Sequence, residues 1–317
     1  MSLITPCYNS ETYVTRLLDS VLIQDYPCIE MFIVDDGSSD NTRVVVESYI
    51  GKFTDKGYCL TYIYQENAGQ AAAVNKGLKY VKGRYLGWPD SDDYYNREDA
   101  ISTFVHTLSE LDDTYGAVCY IGTFVDEDTL KDKYRKTDFN KEEELFENCL
   151  LGGDMLAVPI CYMVRMNAFD KVNSEREIYT KQHAQNMQML LPLFYSYKCR
   201  TIHESLCNIV VRSCSDSHVV LSYEKQKERI QGWLDIKLNS LDQITELSNK
   251  DRDRYKLLCR EKELKSKLEL AFNFRKKKDV RRCLIDLKEM GAKVGIKKQV
   301  KAYLLNIPFL YDCLVKR

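Results

Sequence analysis

Between residues 2 and about 125, short apolar runs alternate with longer amphipathic segments, and no other feature constrains the fold so tightly. The runs at 2–5, 31–34, 60–64 and 84–88 have the length of strands. The segments between them, at 13–23, 41–50 and 69–81, space apolar residues three and four apart, as a helix with one buried face requires. Strands alternating with helices predict βα units, hence a mostly parallel sheet with helices on both faces. Further strands are expected at 160–164, 199–202 and 206–211, with helices at 141–151 and 184–197. Residues 126–155 are charged and poorer in apolar side chains. From residue 222 the pattern is helical, in segments 222–247, 251–274, 278–290 and 297–305. The expected organisation is an α/β domain over 1–218 and a basic, all-helical region over 219–317.

In open parallel sheets, ligands bind beyond the carboxyl ends of the strands. The residues that follow each strand therefore matter most. After the first run comes Pro6-Cys7-Tyr8-Asn9-Ser10-Glu11, and after the second Asp35-Asp36-Gly37-Ser38-Ser39-Asp40-Asn41-Thr42. After the third comes Gln65-Glu66-Asn67-Ala68-Gly69-Gln70, and after the fourth Pro89-Asp90-Ser91-Asp92-Asp93. Any surface loop is polar, but four such clusters on one edge, two of them rich in carboxylates, favour a site.

Carboxylates spaced D-x-D can hold Mg²⁺ or Mn²⁺, which keeps several waters and bridges the phosphates of a ligand. Asp90, Asp92 and Asp93 fit that role. The alternative for Asp93 is to cap a helix starting near Asn96. One aspartate suffices for a cap, whereas three within four residues repel one another unless a cation or a base shares them. Asp35 and Asp36 follow a strand directly, where a carboxylate can accept hydrogen bonds from a base N–H or from ribose hydroxyls.

A formal net charge of -1 gives no general reason to expect nucleic-acid binding. The charge is unevenly spread: residues 251–317 hold 20 Lys/Arg against 9 Asp/Glu, and residues 1–250 hold 26 against 38. Twelve cysteines are scattered without a CxxC pair, which reads as buried, reduced thiols such as Cys7, Cys161 and Cys207. No stretch approaches the roughly 20 apolar residues of a membrane span, and no signal peptide precedes the first strand. The expected location is cytoplasmic.

The words ITPCYNSE (4–11), FIVDDGSSDNT (32–42), QENAGQAAAVNKGL (65–78) and GRYLGWPDSDD (83–93) resemble, in order and spacing, those of family 2 inverting glycosyltransferases with the GT-A fold. The resemblance covers roughly the first third of the chain. It implies that Pro6 and Glu11 line a nucleotide pocket, that Asp36 reads the base, commonly uracil, and that Asp90 lies near ribose and metal. It implies too that Asp92 is the main metal ligand, with Mn or Mg as the cation. Tyr8, Asn67 and Ser91 stand in the same words and complete the expected donor set. Arg212 or His218, in a segment similar to one that closes many members' catalytic domains, is placed to face the diphosphate or the metal, the alternative being a solvated linker.

Two departures stand out. Many members carry Arg where this chain has Val74, and neither Lys76 nor Arg84 occupies the same place. An inverting transfer also needs a general base to take the proton of the acceptor hydroxyl. The family's usual Glu-Asp pair is here Gln185-Asn186, and Asn186, at the position of the usual base, cannot act as one. Asp154 and His183 are the candidates in its stead, each with an ordinary structural alternative.

The implied activity is transfer of a hexosyl group from a nucleotide-sugar donor, UDP-linked by expectation, to a glycan or lipid-linked acceptor in cell-surface polysaccharide synthesis. The alternative is a catalytically impaired nucleotide-sugar-binding or scaffolding subunit of glycan biosynthesis. A nucleotidyltransferase would want a Gly-rich, basic loop after the first strand, which PCYNSE is not. The tail pairs cationic runs (Arg275–Lys278, Arg281-Arg282, Lys297-Lys298) with apolar faces, ending in AYLLNIPFLY at 302–311. Such helices can lie on the inner face of an anionic membrane. The competing uses are a helical cap on the acidic domain or a homodimer interface.

Overall fold

The computed structural model describes residues 1–135, 143–153, 155–156, 158–180, 185–212 and 221–305. Asp154, His183, His218 and the tail segment 306–317 lie outside the described residues. The chain divides into two compact units, Met1–His218 with Gln243–Thr245, and Val219–Asp242 with Glu246–Arg317.

The first unit is built on one nine-stranded sheet. Its strands are β1 (Ser2–Cys7), β2 (Glu30–Asp36), β3 (Cys59–Gln65), β4 (Tyr85–Gly87), β5 (Tyr94–Tyr95), β6 (Tyr115–Asp126), β7 (Asp132–Arg135), β8 (Tyr162–Arg165) and β9 (Lys198–Val211). The order is β3-β2-β1-β4-β8-β6-β9-β5, with β7 paired to β6. β1 pairs in parallel with β2 and β4, and β2 with β3. β8 runs antiparallel to both β4 and β6, so β6 and its parallel partner β9 share the direction of β1. Six strands thus point one way, and β5, β7 and β8 run against them.

The central strands are buried on both faces, which is why they read as continuous apolar runs rather than alternating ones. Every residue of β1 is buried. Helices Val14–Leu22, Gln70–Leu78 and Ala100–Glu110 cover the sheet with the residues at helical spacing, among them Val14, Leu17, Leu18 and Val21. Gly77 allows the helix Gln70–Leu78 to lie directly on β1: a Cβ there would stand 2.6 Å from Ile4 Cγ2.

Register carries the polar clusters to one edge. Cys7 pairs with Asp35, and Asp36 with Gln65, at the carboxyl ends of β1, β2 and β3. The Asp90 cluster follows β4, which runs alongside β1. The sequence pattern misses β6 altogether, treats β9 as two strands, and predicts a helix over 141–151 where the structure has one at Phe146–Leu151.

The second unit is helical: Tyr223–Gln243, Asn249–Asn273, Lys277–Glu289 and Ile296–Leu304. Ser248 caps the second of these, its Oγ accepting from Asp251 N at 3.1 Å. Tyr223, Leu268, Phe272, Val280, Leu287 and Leu305 form the core of this unit. All ten cysteines among the described residues are free thiols, and eight are buried. No helix among the described residues is long and apolar enough to cross a membrane.

Candidate active site

The loops after β1 and β2 hold each other. Asn9, in the left-handed region at φ 49°, donates its backbone N–H to Ser38 Oγ (2.9 Å) and accepts from Ser39 N at Oδ1 (2.9 Å). Glu11 N donates to Asp40 Oδ2 at 3.1 Å, and Asn41 N donates to Glu11 Oε2 at 2.8 Å. Ser10 N donates to Thr42 Oγ1 at 2.8 Å. Pro6 is buried at the end of β1, while Tyr8 is exposed.

Asp35 and Asp36 divide their work. Asp35 accepts from Ser38 N (2.8 Å) and from the Tyr62 hydroxyl (2.5 Å), so it shapes its own turn. Asp36, only 4% exposed, accepts from Gln65 Nε2 (2.7 Å), Ala68 N (2.8 Å) and Gly69 N (2.8 Å). A carboxylate offers about four acceptor positions, so one remains on Asp36 for a ligand N–H. Between these loops lies Gly37 at φ +82°, where a Cβ would come within 2.8 Å of Asn67 N. Asn67 is exposed.

The loop after β4 separates its three aspartates. Asp93 is buried and accepts from Val210 N at 2.9 Å, tying the loop to β9. It neither joins a cation trio nor caps a helix. The helix that follows starts at Ala100, so the helical start expected near Asn96 is also corrected. Burial, then Asp92 and Asp90, push the Asp93 carboxyl far above the usual range. Asp90 accepts from Gln70 Nε2 at 2.7 Å. Burial and the neighbouring Asp92 raise its pKa to about 7, against the lowering effect of that hydrogen bond. Ser91 Oγ meets Ser10 Oγ at 3.0 Å, which joins the first and fourth loops. Asp92 faces a cation already, the Arg212 guanidinium, with Nη1 at 3.3 Å from Oδ2.

Among the described residues, no group of three His, Cys, Asp or Glu side chains is arranged to hold a metal ion. Asp90 and Asp92 suit instead a hard cation that draws its other ligands from phosphate oxygens and water. The repulsion between Asp90 and Asp92 and the guanidinium on Asp92 both mark a place where positive charge is stabilised.

Asn186, where the resemblance puts the base, is half-buried. Asn186 Oδ1 accepts from the indole N–H of Trp88 at 3.0 Å, and Trp88 is 1% exposed. Gln185 is buried beside it. Val74 is fully buried on the helix Gln70–Leu78, and Lys76 Nζ donates to Tyr64 O at 2.7 Å. Arg84 precedes β4, at the strand end opposite the aspartates, and lines a separate cavity of about 260 Å³ with Tyr85, Arg165, Asn167 and Asp170. Sequence pattern alone gives no role to Gln65, Gln70 or Trp88. Gln65 and Gln70 stand in the word QENAGQ, and Trp88 in GRYLGWPDSDD, but their partners are set only by tertiary contact.

An acidic loop set beyond the parallel ends of such a sheet defines the GT-A class of nucleotide-sugar folds. The chain belongs to glycosyl transferase family 2, whose model matches residues 2–172. An uncharacterized glycosyltransferase of Rickettsia typhi is 32% identical over 179 residues, 54% of this chain and 54% of that protein. The poly(ribitol-phosphate) beta-N-acetylglucosaminyltransferase TarS of Staphylococcus aureus is 39% identical over 99 residues, 31% of this chain and 17% of TarS. The chain thus spans about half the length of the first relative and less of the second. The crystal structure of TarS 1–349 in complex with UDP-GlcNAc matches with a TM-score of 0.66 at 18% identity, over 96% of this chain and 87% of that one. The mannosyltransferase PcManGT of Pyrobaculum calidifontis, in complex with GDP-Man and Mn²⁺, matches with a TM-score of 0.55 at 18% identity, over 98% of this chain and 80% of that one. At these identities the structures establish the fold.

Proposed function

We propose that the chain transfers a hexosyl group, with inversion, from a UDP-sugar to a glycan or lipid-linked acceptor in cell-surface polymer synthesis. The observation that carries this reading is the convergence of Asp36, Asp90 and Asp92 on loops that hydrogen-bond one another at one sheet edge. Family membership supports the reaction class, and the UDP-GlcNAc held by the TarS structure supports the choice of donor.

In this reading Asp36 uses its remaining acceptor position on the uracil N–H, with Pro6, Tyr8, Glu11 and Asn67 around the base. Asp90 and Ser91 face the ribose side, and Asp92, with Asp90, holds Mn²⁺ or Mg²⁺. The bound cation supplies charge neutralisation to the departing diphosphate. The chain's own residues orient the donor: the Gln70 amide fixes the Asp90 carboxylate, and Asp93 fixes the loop against β9. Asn186 takes no proton. We assign that step to Asp154 or His183, with His218 near the cation; all three lie outside the described residues.

The hydrogen bond from Trp88 to Asn186 favours a second reading, a donor-binding subunit without turnover. Donor hydrolysis and transfer across a panel of nucleotide sugars, with Mn²⁺ and Mg²⁺, separate the two. Turnover lost in Asp92→Ala supports the enzyme, whereas UDP binding without turnover on any acceptor supports the subunit.

The helical unit bears on the acceptor. Helix Ile296–Leu304 buries none of its residues, and Ile296, Val300 and Tyr303 are 78%, 50% and 69% exposed at one-turn spacing. Lys293 and Lys297 are exposed close by in sequence. An apolar stripe with cationic neighbours suits an anionic lipid surface, and we propose that it brings the chain to a lipid-linked acceptor. Flotation with anionic liposomes tests this in the full chain. Binding lost in Val300→Asp/Tyr303→Asp supports it. Unchanged flotation rejects it, as does a dimer broken by the same variant without lipid.

A further inference from the structure

Arg212 directly follows β9, and its guanidinium meets groups from three other parts of the chain. Nη1 lies 3.3 Å from Asp92 Oδ2, and Nε lies 3.6 Å from Glu127 Oε1. The guanidinium carbon stands 4.2 Å from the centroid of the Tyr13 ring, a cation–π distance. One positive charge therefore links the DSDD loop, the turn after β6 and the residue that precedes helix Val14–Leu22. The fit is incomplete, because the buried Arg212 Nε makes no hydrogen bond. A buried donor left without an acceptor marks an arrangement that a better partner can displace.

We propose that Arg212 is an internal counter-ion of Asp92, holding that carboxylate until a divalent cation replaces it and then turning to the diphosphate. The inference rests on the reading of Asp92 as the cation-binding carboxylate. Its logic is electrostatic. A guanidinium and a divalent ion on one carboxylate repel each other, so each weakens the hold of the other. The displaced guanidinium is suited to the ligand that accompanies the ion, because its planar fork matches phosphate oxygens in pairs. Arg212 and the cation therefore compete for Asp92 yet cooperate in holding a nucleotide diphosphate. A purely structural clamp has no such opposed effects.

The test measures two ligands separately on the full chain. Mn²⁺ binding without nucleotide is followed by the paramagnetic resonance of free Mn²⁺, and UDP binding at saturating Mn²⁺ by calorimetry. Arg212→Gln is expected to tighten Mn²⁺ about three- to tenfold, since the variant removes both a competitor and a repelling charge. The same variant is expected to weaken UDP about tenfold through loss of a charge-assisted contact. Arg212→Lys keeps the charge and is expected to leave Mn²⁺ affinity within about twofold of the parent, which separates charge from packing. Asp92→Asn distinguishes the two levels of the argument. If it abolishes Mn²⁺ binding while Arg212→Gln leaves that affinity unchanged or weaker, the counter-ion proposal alone is overturned. If Asp92→Asn binds Mn²⁺ as the parent does, the donor-site reading fails and the proposal with it.

Discussion

The Trp88 indole N–H points at Asn186 Oδ1 across 3.0 Å, joining the end of β4 to the helix Gln185–Ser196. The contact gives Asn186 a structural task. Asn186→Ala leaves the buried indole N–H without its acceptor, a loss of about 1–3 kcal/mol. Urea denaturation is expected to show that loss, while UDP affinity stays within about twofold of the parent.

Asp36 is expected to be sensitive to a change of one atom. Asp36→Asn keeps the shape but replaces one oxygen by a donor that faces the N–H groups of Ala68, Gly69 or Gln65. Charged acceptors are worth roughly 1.5–3 kcal/mol each, so stability is expected to fall by about that amount or more. Calorimetry with UDP is expected to show at least about a tenfold loss, because the loop that frames the base loses its anchor.

Asp90 makes the chain respond to pH. Its folded pKa of about 7 lies above the carboxylate reference of 3.8, so between these values the folded form keeps a proton that the unfolded form has released. The sign follows: this group contributes stability at low pH, and the contribution is lost as pH rises from about 4 to 7. Melting temperatures of the parent are expected to fall relative to Asp90→Asn across that window. Divalent cations need the ionised form, so Mn²⁺ affinity is expected to rise with pH up to about 7 and then level off. Removing the amide partner in Gln70→Ala moves that plateau to higher pH.

Gly37→Ala tests the seam between the second and third loops. The residue adopts φ +82°, and its Cβ would press on Asn67 backbone at 2.8 Å. Strain of this kind costs about 1–3 kcal/mol. Equilibrium unfolding is expected to register it, together with weaker UDP binding through displacement of the Asn67 loop.

The sequence pattern reveals the sheet wherever strand and helix alternate, because full burial of β1 and β2 leaves unbroken apolar runs. It misses β6, an equally buried strand, because that run is not framed by the turn-and-helix rhythm of the earlier units. β9 reads as two pieces because His203 and Glu204 sit exposed in the middle of one 14-residue strand. The acidic words mark the site, but not how its members divide their roles. Asp92 and Asp93 are adjacent in the chain, yet one faces Arg212 and the other Val210 N, each more than a hundred residues away. No local pattern encodes partners at that range.

The paired contacts between Asn9 and Ser39 and between Glu11 and Asn41 have a thermodynamic consequence for ligand capture. These two loops are ordered by each other, so a donor arriving there need not freeze free backbone, a cost of roughly 1–2 kcal/mol per residue in a disordered loop. Affinity at this edge is therefore set by desolvation and charge rather than by folding on contact. Under the proposed function, donors that differ in base or sugar are expected to be told apart by whether they fit a cradle already shaped.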